Sequence, residues 1–490
     1  MNTVRTIAKN SGASLLTQVS TPASSFVLVF FIARWLGVSG VGSFSSALSM
    51  LYIFEAFTCL GFQYLITREI SQDRSKAGKL LVNASFLGFI SSIIMVGVMC
   101  LVVNVITDSP DTIHSAYVLS ISLIPFTLSL VCQSISRGFE KLEHIAIATV
   151  AGNALKVLLG LFVLFGGYGL IHLMIVILGS HFLMFGISLF FAVKCVSKDL
   201  SGILKIDIAF CKWIIAATSV FALIFIFSAI RYNIDVLILT KMMGEREVGF
   251  YSAASKLANI GALGISFYIM AIQPVIFRLF KSSMEKFEMV CSESIRYFFI
   301  LILPIIAGTT ILSDKFVLLI FGAEFLPSAH VLSILIWLVI LTGFNQIFAN
   351  VLVASNYQKV NLLGNIISMI SNIFLNLLLI PRYSFIGAGI ASVASASVIL
   401  IYQYNFVSKY LFKVHYFSLA KKPFLATTLI GGIIFLLRDI NLVFLIFVSV
   451  VGYFTFLLIL KTFLERDINL VRKLFKGEED LPYEGSSRNA

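Results

Sequence analysis

Long stretches of about 20 residues with almost no charge recur along the whole chain, and they constrain its fold more than any other feature. A helix needs roughly 20 apolar residues to cross the ~30 Å hydrocarbon core of a bilayer. Only 12% of the 490 residues are charged and 59% are hydrophobic, whereas soluble chains average about 25% charged residues. A water-soluble body could not be covered with so little polar surface. The sequence therefore predicts an all-α integral membrane protein.

The apolar windows and their breaks predict about fourteen transmembrane helices. Strands of a membrane β-barrel would be about 10 residues long with alternating polarity, and these windows are longer and do not alternate. The predicted spans are 12–33, 42–65, 80–106, 113–136, 145–165, 169–193, 213–234, 248–277, 294–312, 328–354, 361–380, 386–408, 420–437 and 441–460.

The basic residues are distributed unevenly between the two sides of these spans. Of the 36 Lys and Arg residues, 27 lie on the side of the N-terminus, seven on the opposite side and two within spans. The positive-inside rule then places both termini in the cytoplasm of a multi-pass cell-membrane protein. The net charge of +12 is thereby explained by anionic lipid headgroups, and no nucleic-acid partner is expected. The six scattered cysteines contain no C-x-x-C pair, so neither zinc nor a disulfide framework is indicated.

A glycine-rich phrase occurs twice in the chain, as FIARWLGVSGVGSFSSAL at 31–48 and as KMMGEREVGFYSAA at 241–254. Each copy is expected to form a turn between two helices, made in the first copy by Gly37, Gly40 and Gly42. Aligning Arg34 with Lys241, an offset of 207 residues, gives five identities in fourteen positions. Two further pairs follow in the same order: FEK at 139–141 with YQK at 357–359, and YGLI at 168–171 with YSFI at 383–386. Each copy contains six spans, and because six is even the two copies form a parallel repeat.

This repeat predicts two parallel six-helix lobes around a central cavity, with two extra helices at the C-terminus. The predicted parts are an N-terminal lobe (1–197), a cytoplasmic linker (198–212), a C-terminal lobe (213–409), an interfacial segment with the last two helices (410–464) and a cytoplasmic tail (465–490).

Five ionisable residues fall within the spans or at their ends: Glu55, Lys156, Arg231, Asp235 and Lys256. Such residues are costly in a bilayer and usually face a bundle interior or a water-filled cavity. The sequence also allows simpler interpretations of these residues. Arg231 and Asp235 have the i,i+4 spacing of a structural ion pair, Lys256 has a side chain long enough to snorkel to the interface, and Glu55 is a proton or cation site or the partner of a lysine.

The chain resembles the polysaccharide (O-antigen-type, Wzx-like) flippases of the MOP superfamily, which also includes the MATE exporters and the lipid II flippases. The resemblance rests on ARWLGVSGVGSFSSA at 33–47, YNIDVLILTKMMGEREVGFYSAASKL at 232–257 and NIFLNLLLIPRYSFIGAGIASV at 372–393. It implies two six-helix lobes that move lipid-linked oligosaccharides from the cytoplasmic to the outer leaflet. It also implies membrane lipids and a polysaccharide polymerase or glycosyltransferase machinery as partners.

A cationic cavity is a further property that this resemblance implies. Charge-assisted contacts to phosphate are among the strongest hydrogen bonds, so Lys156, Lys256 and Arg231 are the candidate substrate-binding residues. Glu55 and Asp235 are candidate coupling residues or charge partners. Coupling to a Na⁺ or H⁺ gradient is expected, with no other cofactor and no bound metal.

Two other classes of function compete with a flippase. A MATE-like exporter of small cationic molecules would need acidic residues in its cavity, and only Glu55 and Asp235 qualify against three cations. A membrane glycosyltransferase or ligase would need a large outer loop or an acidic motif at a membrane edge. The nearest approach is Asp108 with Asp111, whose simpler role is to cap a helix. A transporter rather than an enzyme is therefore predicted.

Overall fold

The computed structural model describes residues 2–196, 205–412 and 416–462, and within these ranges the chain is helical without any β-strand. The α-helices are α1 (Asn2–Cys59), α2 (Phe62–Gln72), α3 (Ala77–Ile106), α4 (Pro110–Ser120), α5 (Leu123–Gly138), α6 (Leu142–Phe165), α7 (Leu170–Val196), α8 (Ile208–Met243), α9 (Glu245–Ser282), α10 (Met284–Ile311), α11 (Ser313–Ile320), α12 (Ser328–Leu335), α13 (Trp337–Ala354), α14 (Gln358–Tyr410), α15 (Tyr416–Leu436) and α16 (Leu442–Ile459). The all-α prediction is confirmed.

Twelve helical segments among the described residues are long and apolar enough to cross a membrane. Two of them, Gly12–Cys59 and Gln358–Tyr410, each cover two of the predicted spans. Each has a break at one residue with non-helical backbone angles, Gly37 in α1 and Ser384 in α14. The chain is thus a multi-pass membrane protein, and the count of fourteen spans stays a prediction. The predicted tail at 465–490 and part of the predicted linker lie outside the described residues.

The helices group into two compact units, which do not follow the predicted lobe boundaries residue for residue. The first unit comprises Met1–Gln273 and Ser313–Leu411, and the second comprises Pro274–Leu312 and Phe412–Ala490. In the second unit, the Tyr453 hydroxyl donates to the carbonyl of Ile300 at 2.8 Å, which joins α16 to α10. The first unit contains both copies of the glycine-rich phrase and all five candidate site residues, and the division into lobes at 1–197 and 213–409 stays a prediction.

The two copies of the glycine-rich phrase have the same backbone conformation. Gly37 has φ 65° and ψ −165°, and Gly244, at the offset of 207 residues, has φ 85° and ψ −179°. Glycine has no Cβ and adopts this positive-φ region at little cost, whereas other residues are strained there. We expected Gly37, Gly40 and Gly42 to share the turn, but only Gly37 leaves the helical conformation.

The two phrases also pack against each other reciprocally inside the first unit. A Cβ added at Gly42 would lie 1.7 Å from the carbonyl oxygen of Glu245, and one added at Gly249 would lie 2.2 Å from that of Val38. Gly42 corresponds to Gly249 and Val38 to Glu245 at the same offset of 207 residues. Residues 37–42 and 244–249 therefore pack backbone to backbone with approximate two-fold symmetry. We call this the hairpin contact.

Polar bonds surround the hairpin contact. The Glu245 carboxylate accepts hydrogen bonds from Thr107 at 2.7 Å and from Thr112 at 3.1 Å. Arg34 donates to two carbonyls in the last turn of α11, each at 3.3 Å. A cation stabilises a helix C-terminus because the last carbonyls carry partial negative charge. These bonds and the absence of side chains on the glycines hold this end of the first unit closed.

The start of α8, the helix that carries Arg231 and Asp235, is fixed to α3. The Asp207 carboxylate caps α8 by accepting from the amide of Phe210 at 3.0 Å and lies 2.7 Å from the ammonium of Lys79. These contacts hold the pKa of Asp207 below its usual range. The Asp207 amide also donates to the Asn83 side chain of α3 at 2.8 Å. The register of α8 against the first helices is therefore set at its N-terminal end.

Candidate functional site

A polar cavity lies inside the first repeat copy, between α1, α5, α6 and α7. Its volume is about 240 Å³, and we call it the Glu55 cavity. Glu55 and Tyr52 enter it from α1, Lys156 from α6 and His181 from α7. Glu55 is only 8% exposed. Two of the five candidate residues, Glu55 and Lys156, are thus brought together by the fold.

The face of α6 that carries Lys156 is joined to α1 by Asn153. The Asn153 amide donates to Ser20 at 3.0 Å and to Thr21 at 3.2 Å, and it accepts from Ser24 at 3.1 Å. Residues three apart lie on the same face of a helix, so the bonds of Asn153 determine where Lys156 enters the cavity. The lysine is placed by α1 and α6 together.

Lys156 and Lys256 converge from the two repeat copies. The ammonium of Lys256 in α9 donates to the hydroxyl of Ser25 in α1 at 3.0 Å. It therefore points toward the first copy, which disagrees with snorkelling to the interface. Asn153, one turn before Lys156, is bonded to Ser24, so both lysines approach the same turn of α1, and Lys156 shares its cavity with Glu55. Two cations and one carboxylate from three helices thus form one electrostatic cluster.

A second polar cavity, of about 130 Å³, lies inside the second repeat copy, and we call it the Asp235 cavity. Asp235 is 5% exposed and accepts from three neutral donors: the Tyr251 hydroxyl at 2.9 Å, the Asn376 amide at 2.6 Å and the Ser392 hydroxyl. Asn376 also donates to the carbonyl and side chain of Asn372. A buried carboxylate is costly unless it is hydrogen-bonded, and this network supplies the bonds.

Arg231 lines the Asp235 cavity without pairing with Asp235. Its guanidinium lies 4.2 Å from the centre of the Tyr232 ring, and it forms no ion pair within the part of the chain that the structure describes. The i,i+4 ion pair that the sequence left open is therefore not formed. Arg231 lies in a different cavity from Lys156, so the three candidate cations do not form a single cluster.

The two cavities occupy equivalent positions in the two copies. At the offset of 207 residues, Tyr52 corresponds to Asn259 and Glu55 to Ala262, and all four line a cavity. At the offset of 215 residues that relates 168–171 to 383–386, Ser180 corresponds to Ser395, and both line a cavity. The scaffold is thus duplicated, whereas the charged groups differ between the copies.

The partners of Asp235 are not predicted by the local sequence. Tyr251 lies on the next helix, 16 residues from Asp235, whereas Asn376 and Ser392 lie on α14, 141 and 157 residues away. One signal was present: Asn372 with Asn376, and Ser392 with Ser395, have helical spacings that place each pair on one face of α14. Without the packing of α14 on α8, these polar faces could not be assigned to a carboxylate.

The fold and the two polar cavities define a class of multi-pass, all-helical membrane proteins built by internal duplication. The chain has the fold of a lipid II flippase MurJ structure described as inward closed, with a TM-score of 0.71 and 16% identity over 94% of this chain and all of that one. It is also similar to a multidrug resistance MATE family transporter of the MOP superfamily in an inward-facing conformation. The TM-score is 0.65, with 17% identity over 80% of this chain and 95% of that one.

Residues 7–280 match the family described as "Polysaccharide biosynthesis protein". This match covers more than half of the chain, which therefore belongs to that family. A curated relative, the probable low-salt glycan biosynthesis flippase Agl15 of Haloferax volcanii, is 28% identical over 177 residues. The aligned stretch covers 36% of this chain and 38% of the relative.

Proposed function

We propose that the protein is a flippase that moves lipid-linked oligosaccharides across the membrane. The observation that carries the proposal is the convergence of Lys156 and Lys256 from the two repeat copies on α1. Two cations held near each other repel, and an anionic headgroup between them would relieve that repulsion. The membership in a polysaccharide biosynthesis family and the relative named as a glycan flippase support this class of substrate.

A polyprenyl phosphate or diphosphate sugar needs this arrangement because its charge cannot cross hydrocarbon unaided. Burying an ionised group without partners costs many kcal/mol. Charge-assisted hydrogen bonds from Lys156 and Lys256 would offset part of that cost for the phosphate. The polyprenyl chain needs no polar site and stays among the lipids. Arg231 is proposed as a further phosphate contact on the side of the second copy.

The distribution of basic residues supports the proposed orientation of the protein, in which transport runs from the cytoplasmic to the outer leaflet as in the flippases that the chain resembles. The excess of Lys and Arg on the side of the termini supports cytoplasmic termini in the cell membrane. The hairpin contact then faces outward and closes the outer end, so opening it would give alternating access. The glycan would next be passed to a polymerase or glycosyltransferase machinery at the outer face. In this scheme the protein acts as a transporter and forms no covalent intermediate.

The test is reconstitution of the full-length protein in liposomes. Leaflet exchange of a polyprenyl-diphosphate oligosaccharide is measured beside efflux of a cationic dye, with protein-free liposomes as control. Exchange without efflux is the expected result. Efflux without exchange would overturn the proposal in favour of a MATE-like exporter, for which the buried carboxylates of Glu55 and Asp235 would be the cation-binding groups.

Asp235 is proposed as the coupling site for Na⁺ or H⁺, and its surroundings fit a hard cation. The Ser392 hydroxyl touches the Asp235 carboxylate, and the buried side-chain oxygen of Asn376 has no hydrogen-bond partner among the residues that the structure describes. Oxygen ligands of this kind suit hard cations. A bound cation would supply charge balance for Asp235, with the Ser392 hydroxyl and, after rotation of its amide, the Asn376 oxygen as further ligands.

We expect Asp235→Asn to remove the dependence of transport on an ion gradient while lipid exchange at zero gradient persists. The amide keeps the size of the carboxylate but lacks its charge. Exchange is measured with a Na⁺ gradient alone and with a pH gradient alone, and Asp314→Asn in α11 serves as the control. If the wild type responds to neither gradient, or if Asp235→Asn responds as the wild type does, the coupling role is excluded.

A further inference from the structure

The Glu55 cavity holds three polar groups without partners. The Glu55 carboxylate and the Lys156 ammonium have no hydrogen-bond or ion-pair partner among the residues that the structure describes. The buried Nδ1 atom of His181 also has none. Buried polar groups are nearly always hydrogen-bonded, and exceptions call for an explanation such as a missing ligand or water. Glu55 and the Nδ1 atom of His181 are buried and Lys156 is half-buried, and all three face one cavity, which points to an occupant.

The size of the cavity limits what the occupant can be. Pockets for drug-sized ligands are roughly 300–1,000 Å³, and this cavity is about 240 Å³. It therefore suits a fragment of a larger ligand, on the scale of one six-membered ring with its substituents. Gln133 and Asn153 add hydrogen-bonding groups to the lining, and Tyr52 and Phe126 add aromatic surface. Amides, a carboxylate and aromatic rings together suit a hydroxylated ring, which has polar edges and an apolar face.

We propose that the Glu55 cavity is a subsite for the single sugar ring next to the phosphate of the lipid-linked glycan. This inference rests on the proposed flippase function and extends it to the part of the substrate that is recognised. The hydroxyl groups of the ring donate to the Glu55 carboxylate, and an oxygen of the ring or its linkage accepts from Lys156. Lys156 belongs both to this cavity and to the pair with Lys256, so it joins the sugar subsite to the phosphate contact.

The charge of the cavity selects among sugars. An acidic sugar would place its carboxylate near that of Glu55, where like charges repel at short range. Lys156 does not offset this repulsion, because in this arrangement it contacts the linkage oxygen and the phosphate. A neutral hexose meets no such repulsion and offers adjacent hydroxyls to one carboxylate. The equivalent cavity of the second copy has Ala262 in place of Glu55 and is smaller, at about 130 Å³. The subsite is therefore confined to the first copy.

The test compares the affinity of the full-length protein in nanodiscs for three probes. They are a short-chain polyprenyl diphosphate without sugar, the same lipid with one neutral hexose, and the same lipid with one hexuronic acid. The wild type is expected to bind the hexose probe at least tenfold more tightly than the other two. Glu55→Leu should bring the ratio of hexose-probe to bare-lipid affinity down to about one, because it removes the acceptor for the ring hydroxyls, whatever it does to the affinity for the bare lipid. Glu55→Gln should retain part of the advantage.

Glu285→Leu is the matched control, because it removes an exposed carboxylate from the first turn of α10. Thermal melting of each variant in nanodiscs reports folding. If the wild type binds the bare and hexose probes equally, the cavity holds only water. That result overturns the proposal of a sugar subsite and leaves the flippase function standing. Equal loss of both probes in Glu55→Leu also overturns the sugar subsite. Absence of binding of any probe to the wild type, with no leaflet exchange in liposomes, overturns the flippase function as well.

Discussion

Replacing Gly42 or Gly249 with alanine is expected to lower leaflet exchange about tenfold or more while the protein still inserts in the membrane. The added Cβ would lie 1.7 Å from the Glu245 carbonyl oxygen in the first variant and 2.2 Å from that of Val38 in the second. Both distances are far below van der Waals contact, so the two backbones must separate. Overpacking of this kind costs ~1–3 kcal/mol. A free-energy change of that size shifts the ratio of molecules with a closed hairpin contact to molecules with an open one by roughly 5–150-fold.

The two glycine variants should behave alike, because the contact is reciprocal. Leaflet exchange is measured beside thiol labelling of a cysteine introduced at Ser46, which is fully buried near the contact, in a chain without its native cysteines. Labelling should accelerate in both variants. Gly97→Ala is the control, since a Cβ there would meet nothing within 4 Å. Wild-type exchange and labelling in both Gly42→Ala and Gly249→Ala would show that the closed hairpin contact has no part in transport.

Those features of the fold that depend on local pattern were predictable from the sequence. The apolar windows gave the helices because their length and lack of charge leave no other way to satisfy the backbone in a bilayer. The repeated phrase at 31–48 and 241–254 predicted duplicated turns, and the equal backbone angles of Gly37 and Gly244 agree with that duplication. Asn153 and Lys156 are three residues apart, a spacing that by itself places them on one face of a helix.

Features that depend on how distant helices pack were not predictable. The sequence placed Arg231 four residues before Asp235, but nothing local showed that Tyr251, Asn376 and Ser392 would satisfy the carboxylate instead. The glycines of the repeated phrase also allow the two copies to pack closely, and this role could not be inferred from their position in a turn. Gly42 provides room for a backbone more than two hundred residues away. A chain with many small and apolar residues could pair its helices in many ways, and only the packing of the whole fold selects one of them.

Lys156→Gln is expected to lower leaflet exchange by about 10–100-fold. A hydrogen bond to a charged group contributes roughly 1.5–3 kcal/mol, and glutamine removes the charge while keeping a polar side chain of similar reach. Lys156 is the residue whose loss should matter most, because it belongs to both the Glu55 cavity and the pair with Lys256. Lys156→Arg keeps the charge and should retain most of the exchange. The measurement is exchange of a polyprenyl-diphosphate oligosaccharide in liposomes at matched protein density.

Lys212→Gln is the matched control, since Lys212 is exposed at the start of α8 and lies outside both cavities. It should exchange lipid at the wild-type rate. A double variant, Lys156→Gln with Lys256→Gln, should lose less than the product of the two single effects, because the two cations act on one phosphate and their contributions are not additive. Full additivity would mean that the lysines contact separate groups. Wild-type exchange in Lys156→Gln would remove this residue from the site and leave Lys256 and Arg231 as the remaining cations for the headgroup.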